Sequence, residues 1–137
     1  MNGRFFVDTN ILVYSVADDL RKRDVAEALL LKDGAVMSPQ VISEFVAVTL
    51  RKHILEAEKV VEYARKFLSV FQIASTSANT IATALEVMTK YHFSYWDSLI
   101  LASAIQSSCH VVYSEDLQDG QQIEGRLMVV NPFRYLK

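Results

Sequence analysis

One cysteine stands in this chain of 137 residues, at position 109. An internal disulfide is therefore impossible, and a cysteine-based metal centre is excluded by count. Two prolines and four glycines leave no linker and no low-complexity tract, and no internal repeat is visible. No apolar run approaches the ~20 residues that span a bilayer, so no membrane role is expected. Met1-Asn2-Gly3-Arg4 leads straight into a strand-like run, without the separate hydrophobic stretch and cleavage site of a signal peptide. A reducing cytoplasmic location is expected, with Cys109 as a buried thiol in its apolar setting "SSCHVVYS". Charge of one sign is also missing. Fourteen basic residues face sixteen acidic ones, for a net charge of −2. That balance argues against broad, nonspecific adhesion to nucleic acid. It leaves room for local patches at Arg21-Lys22-Arg23, Arg51-Lys52-His53 and Arg65-Lys66, each of which also reads as a solvated helix face.

What the chain does have is apolar mass. Half of its residues are hydrophobic, enough for one sizeable core, and one domain over 1–137 is expected. Short β-like runs alternate with helical periodicity. Strands are expected at 4–7, 35–37, 71–74, 111–113 and 127–130. Helices are expected near 11–16 and 20–32, the latter ending before Asp33-Gly34. Ser38-Pro39 reads as an N-cap with proline at the first helical position. Behind it, Ile42, Phe45, Val46, Thr49 and Leu50 make one helical face. A second amphipathic helix runs from Ala57 to Leu68, and Ile81, Leu85 and Met88 mark another. Tyr95 to Ile105 is apolar almost all round, as a helix buried on several sides would be. This alternation predicts an α/β fold with a parallel sheet covered on both faces. Ligands of such folds sit beyond the carboxyl ends of the strands.

Four acids stand at such places. Asp8 follows the apolar "FFV", and Asp116 follows "VVYSE"; each closes a strand. Glu44, in "PQVISEFVAVTL", and Asp97, in "YWDSLILASAI", lie in the first two turns of helices. Each has a plain structural explanation. Asp8 or Asn10 caps a helix. Ser94 to Asp97 has capping-box spacing. Asp116 and Asp119-Gly120 shape a turn. Glu44 points to solvent. Together the four fit these explanations less well, because strand ends and helix beginnings meet at one edge of a parallel sheet.

Converging carboxylates repel and raise one another's pKa. A hard divalent cation such as Mg²⁺ or Mn²⁺ resolves this, with one or two carboxylates binding it directly and the others orienting its waters. Such a site suits phosphodiester hydrolysis, since the ion activates water and offsets charge on the transition state. No nucleophile elbow and no phosphate-binding glycine loop is present. His53, His92 and His110 lack paired metal-ligand spacing and read as helix-face or core residues, so zinc is not expected.

The ordered set "FFVDTNILVYS", "SPQVISEFVAVTL", "YWDSLILASAI", "VVYSEDLQDGQ" and "VVNPF" resembles the PIN-domain family, and within it the VapC-like toxins of toxin–antitoxin modules. The likeness runs from about Phe6 to Phe133. It implies a three-layer α/β/α sandwich with a central, mainly parallel sheet, and a Mg²⁺- or Mn²⁺-dependent endoribonuclease. Asp8, Glu44 and Asp97 fall on the family's three central acids, and Asp116 on its more variable fourth. Asp8, Asp97 and Asp116 are the implied metal ligands. Thr9, Asn10, Ser43 and Ser114 match positions that support the acids or orient substrate, and Asp119 is a weaker candidate that also suits a turn. Ser98 stands where many relatives carry alanine. The resemblance further implies an RNA substrate, a homodimer and a small antitoxin whose tail enters the acidic cleft.

Other readings share parts of this pattern. A PIN nuclease of RNA processing, without an antitoxin, would have the same chemistry. A non-catalytic binding module would not need all four acids. A phosphoacceptor receiver domain would need an acid paired with Asp8 and a lysine after a late strand, and Lys90 and Lys137 are badly placed for that.

Overall fold

Three apolar residues, Phe5-Phe6-Val7, start the sheet as β1, buried throughout. The computed structural model describes residues 3–136. After β1 come α1 (Thr9–Tyr14), α2 (Leu20–Leu31), β2 (Ala35–Met37), α3 (Pro39–Arg51), α4 (Ala57–Val70) and β3 (Gln72–Ile73). The chain continues through α5 (Ala78–Tyr91), α6 (Tyr95–Gln106), β4 (Val111–Tyr113), β5 (Gln122–Ile123) and β6 (Leu127–Val130). The strands form one sheet in the order β3-β2-β1-β4-β6-β5. All pairings are parallel except β5 on β6. This is the expected three-layer α/β/α sandwich with a mainly parallel sheet.

Local chemistry accounts for the boundaries. Ser38 caps α3 through a hydroxyl that accepts from the Val41 amide, with Pro39 opening the helix where no amide partner is needed. Ser77 and Thr80 form a reciprocal capping box at the start of α5. Gly34 adopts φ +105°, and a side chain there would collide with the Gly3 carbonyl; the turn into β2 thus needs glycine. Residues 98–105 of α6 are all buried, and the helix packs on α5, β2 and β4. That is why its sequence shows no polar face. Phe6, Phe45, Ile11, Leu12 and Met37 are among the largest fully buried side chains. Each contributes roughly 1.5–3 kcal/mol by area.

Several expectations are revised. Helix α1 begins at Thr9 rather than Ile11, because Asp8 already caps it. Strand β5 was not foreseen: it is two residues long, antiparallel, and joined to β6 through a turn containing Gly125 at φ +63°. On α5 the buried stripe is Thr80, Ala84 and Val87, whereas Ile81 and Leu85 face outward. None of the three histidines is buried: His53 and His92 sit at helix ends with positive φ, and His110 is exposed before β4. Cys109 is buried as expected, and burial pushes its thiol pKa up to about 11.

Candidate active site

The sheet order places the site. From β1 the chain winds to one side through β2 and β3; β4, on the other flank of β1, starts the second half. Strands β1 and β4 therefore flank the point where the winding reverses, and a crevice opens beyond their carboxyl ends. Asp8 leaves β1 there, and Ser114 to Asp116 leave β4. The Asp8 amide still donates to the Tyr113 carbonyl at 3.0 Å, so the ladder extends to the edge of the crevice and fixes the two chain ends against each other.

Asp8 is 7% exposed. The Thr9 amide donates to its Oδ1 at 2.7 Å, and the Ser114 hydroxyl donates to its Oδ2 at 2.8 Å. It both caps α1 and lines the cleft, so capping does not remove this residue from a candidate site. Burial raises its pKa to about 6; the hydrogen bonds from Ser114 and Thr9 counter this in part, and the negative charges of Asp116 and Glu44 add to it.

The other acids are tied in through small polar residues. The Thr9 hydroxyl donates to Glu44 Oε1 at 2.8 Å. Asn10 donates from Nδ2 to Asp116 Oδ2 at 3.2 Å and accepts the Glu115 amide on Oδ1 at 3.2 Å. The Asp116 amide donates to Ser114 Oγ at 3.2 Å. Thus Thr9 links Asp8 to Glu44, and Ser114 with Asn10 links Asp8 to Asp116. Asp97 stands apart from this web. It lies in the first turn of α6, where its own amide donates to Ser94 Oγ at 3.1 Å. Its pKa is raised by desolvation, lowered by a Ser94 hydrogen bond, and raised by Asp116 and Glu44. Asp97 thus shares a field with two of the other acids. All four acids line one open cleft of about 540 Å³.

Two sequence candidates lie elsewhere. Ser43 is exposed and absent from the cleft wall, because a residue next to Glu44 on a helix points about 100° away from it. Asp119 accepts the Asn131 amide at 2.8 Å and pairs with Arg134 at 2.7 Å. It braces the loop against the C-terminal segment rather than facing the cleft. Conversely, Gln40 and Tyr14 were missed, and Lys22 was named only as part of a basic patch. Gln40 donates from Nε2 to Glu44 Oε2 at 3.3 Å and to the Trp96 carbonyl at 3.1 Å, bridging α3 to the start of α6. Its four-residue spacing from Glu44 was the available signal. Tyr14 and Lys22 both contact Glu115, Tyr14 at 2.6 Å and Lys22 at 2.5 Å. This holds the residue beside Asp116, and only its adjacency to Asp116 could have flagged it. Lys22 is therefore committed to an ion pair, and Arg23 pairs with Glu27.

The donors suit a hard divalent cation in type and charge: carboxylates, with the oxygens of Thr9, Asn10 and Tyr14 beside them and no thiolate or imidazole in the cleft wall. Gln40 Oε1 is buried and without a hydrogen-bond partner among the described residues, but Gln40 does not line the cleft. Among the described residues no three acids stand close enough to enclose an ion by themselves. Magnesium does not require such a cage, since it keeps several waters and takes one or two carboxylates.

Comparison with known proteins gives a consistent result. The family model described as PIN domain matches residues 5–118. The fold resembles a toxin–antitoxin complex from Klebsiella pneumoniae, with a TM-score of 0.70 and 22% identity over 95% of this chain and 98% of that one. It also resembles VapC20 of Mycobacterium tuberculosis, a sarcin-ricin-loop-cleaving toxin, with a TM-score of 0.67 and 18% identity over 82% and 91% of the two chains. VapBC2 of Rickettsia felis, solved on a fragment of promoter DNA, gives 0.67 and 20% over 91% and 96%. At these identities the likeness establishes the fold. Comparison with curated protein sequences gave no match.

Proposed function

The chain belongs to the PIN-domain family, and from that premise we propose that it is a metal-dependent endoribonuclease serving as the toxin of a toxin–antitoxin pair. The observation that carries this reading is the joining of Asp8 to Glu44 and Asp116 by Thr9, Ser114 and Asn10 in one cleft, with Asp97 on its wall. Nuclease relatives and the toxin–antitoxin complexes that share the fold support it.

In this reading Asp8, Asp97 and Asp116 would serve a Mg²⁺ or Mn²⁺ ion, one or two of them bonding it directly and the remainder holding its waters. When bound, the ion acidifies water and offsets negative charge on the scissile phosphate and its leaving oxygen. Asp8 is aimed by Ser114 and the Thr9 amide, so its carboxylate needs little reorganisation. Glu44 is gripped at Oε1 by Thr9 and at Oε2 by Gln40, and each oxygen keeps a second lone pair. It orients the attacking water and accepts its proton. Water adds to phosphorus, and the bond to the leaving ribose oxygen breaks. Asn10 holds Asp116 at the mouth of the cleft. An antitoxin segment entering the cleft, a homodimer and a cytoplasmic site of action belong to the same proposal.

The test is RNA cleavage by the purified chain. Cleavage with Mn²⁺, none with EDTA, and none with Asp97→Asn are expected. Cleavage that survives EDTA would refute the mechanism.

A further inference from the structure

The cleft extends beyond its acids. Glu44, Ala47, Val48 and Arg51 all line it, at offsets of zero, three, four and seven along α3. They form one continuous stripe of one helix face. The stripe has an acid at one end and a cation at the other, and only small apolar side chains between them. Seven residues correspond to a rise of ~10 Å, which sets Arg51 two turns along the helix from Glu44. Lys52, the C-cap of α3, lines the same end. The other wall comes from Val13, Tyr14 and Ala17, at and just beyond the end of α1. The result is a trough that leads from the carboxylates to two exposed cations.

These cations are uncommitted. Among the described residues neither Arg51 nor Lys52 has a carboxylate within ion-pair distance. The other basic cluster near the cleft is spent, since Lys22 and Arg23 are paired with Glu115 and Glu27. A cation at a helix C-terminus also complements the helix dipole. That accounts for a basic residue there, but not for a trough that connects it to the acids.

Resting on the endoribonuclease reading, we infer that Arg51 and Lys52 form a phosphate-binding arm. They hold a backbone phosphate of the same single strand whose scissile phosphate lies at the acids, with the sugar between them passing over Ala47 and Val48. The pair thus sets which stretch of strand the cleft grips. It acts on binding and leaves the chemical step alone.

The test measures binding of a labelled single-stranded RNA in the Asp97→Asn background, where cleavage is blocked, over a range of salt. The double variant R51Q/K52Q is compared with R65Q/K66Q, an equal charge change on α4 outside the cleft. We expect R51Q/K52Q to weaken binding about tenfold at low salt. Its log–log salt slope should flatten by roughly 0.7, the value for one phosphate contact in a single strand, while the α4 control keeps its slope. With Asp97 intact, KM should rise and kcat should stay within about threefold. Equal slopes for the two double variants, or a lower melting temperature for R51Q/K52Q with unchanged RNA affinity, would overturn the inference and leave the pair as a helix terminator. Unchanged RNA affinity with lost affinity for polyglutamate would overturn it in favour of an acidic protein partner. A wild-type chain that neither cuts nor binds RNA would defeat the endoribonuclease reading itself; a chain that cuts RNA, with Arg51 and Lys52 dispensable, would defeat this inference alone.

Discussion

Asp8 and Asp97 carry the same side chain to the same cleft in opposite settings. Asp8 closes a central strand, is almost sealed from solvent, and has both oxygens occupied by donors from its own loop and its neighbour. Asp97 begins a helix, is half-buried, and is joined to the other acids through their field rather than through a hydrogen-bonded linker. One corner of the cleft is therefore set by the end of a central strand, and the other by the first turn of a helix whose residues 98–105 are all buried. The strand-end acid is held by direct hydrogen bonds, while the helix-start acid meets the others only through their shared field.

The largest effects should fail to separate the two corners. Asp8→Asn and Asp97→Asn each remove a charge from the proposed ion site, and each should lower Mn²⁺-dependent cleavage by about 10²–10³-fold or more. A variant of either that keeps half of the wild-type rate would remove that residue from the site. The linkers should separate them. Ser114→Ala takes the donor from Asp8 Oδ2, and Thr9→Val frees Glu44 Oε1. Losses of about 10–100-fold are expected for each, as for residues that orient ligating groups. Ser114→Ala should also move the acidic limb of the pH–rate profile upward, because the Ser114 bond holds the Asp8 pKa down. Thr9→Val should leave that limb nearer its wild-type position. Ser98→Ala, which removes only a bond to the Ser94 carbonyl, should change the rate by less than about threefold.

This contrast also explains what could be read from the sequence. The strands were legible because parallel strands buried on both faces are written as unbroken apolar runs, and "FFV" and "AVM" have no other use. The four acids were legible because strand ends and helix starts share one edge of a parallel sheet. Ser43 was misplaced because adjacency in sequence is not adjacency on a helix, where one residue turns the side chain away. Gln40 was missed because its partners lie on two elements, and only the packing of α6 against α3 brings the Trp96 carbonyl to it. The outward Ile81 and Leu85 mislead for a related reason. Their spacing reports a helix correctly but does not say which face meets the core, and on α5 that face is built from Thr80, Ala84 and Val87.

A separate class of effect lies in stability, and there the corners should diverge again. Without metal, the folded chain holds the Asp8 proton up to about pH 6, whereas an unfolded aspartate releases it near 3.8. Below the lower value both states are protonated, and Asp8 contributes nothing to pH dependence. Between the two values the folded state binds more protons, so stability falls as pH rises. Above the folded pKa the penalty is complete, a gap of about two pH units worth about 3 kcal/mol. Asn at position 8 carries no charge and remains a good helix cap, accepting from the Thr9 amide through its carbonyl. Asp8→Asn should therefore melt above the wild type at pH 8 in EDTA and match it at pH 3. Asp97 is partly solvated, and its charge also favours the helix N-terminus, worth ~0.3–1 kcal/mol. Removing it should leave the melting temperature nearly unchanged at both pH values. A drop at pH 8 for Asp8→Asn would mean that the hydrogen bonds from Ser114 and Thr9 to the Asp8 carboxylate outweigh the cost of burying its charge. Equal gains for the two variants would mean that the cleft treats its corners alike.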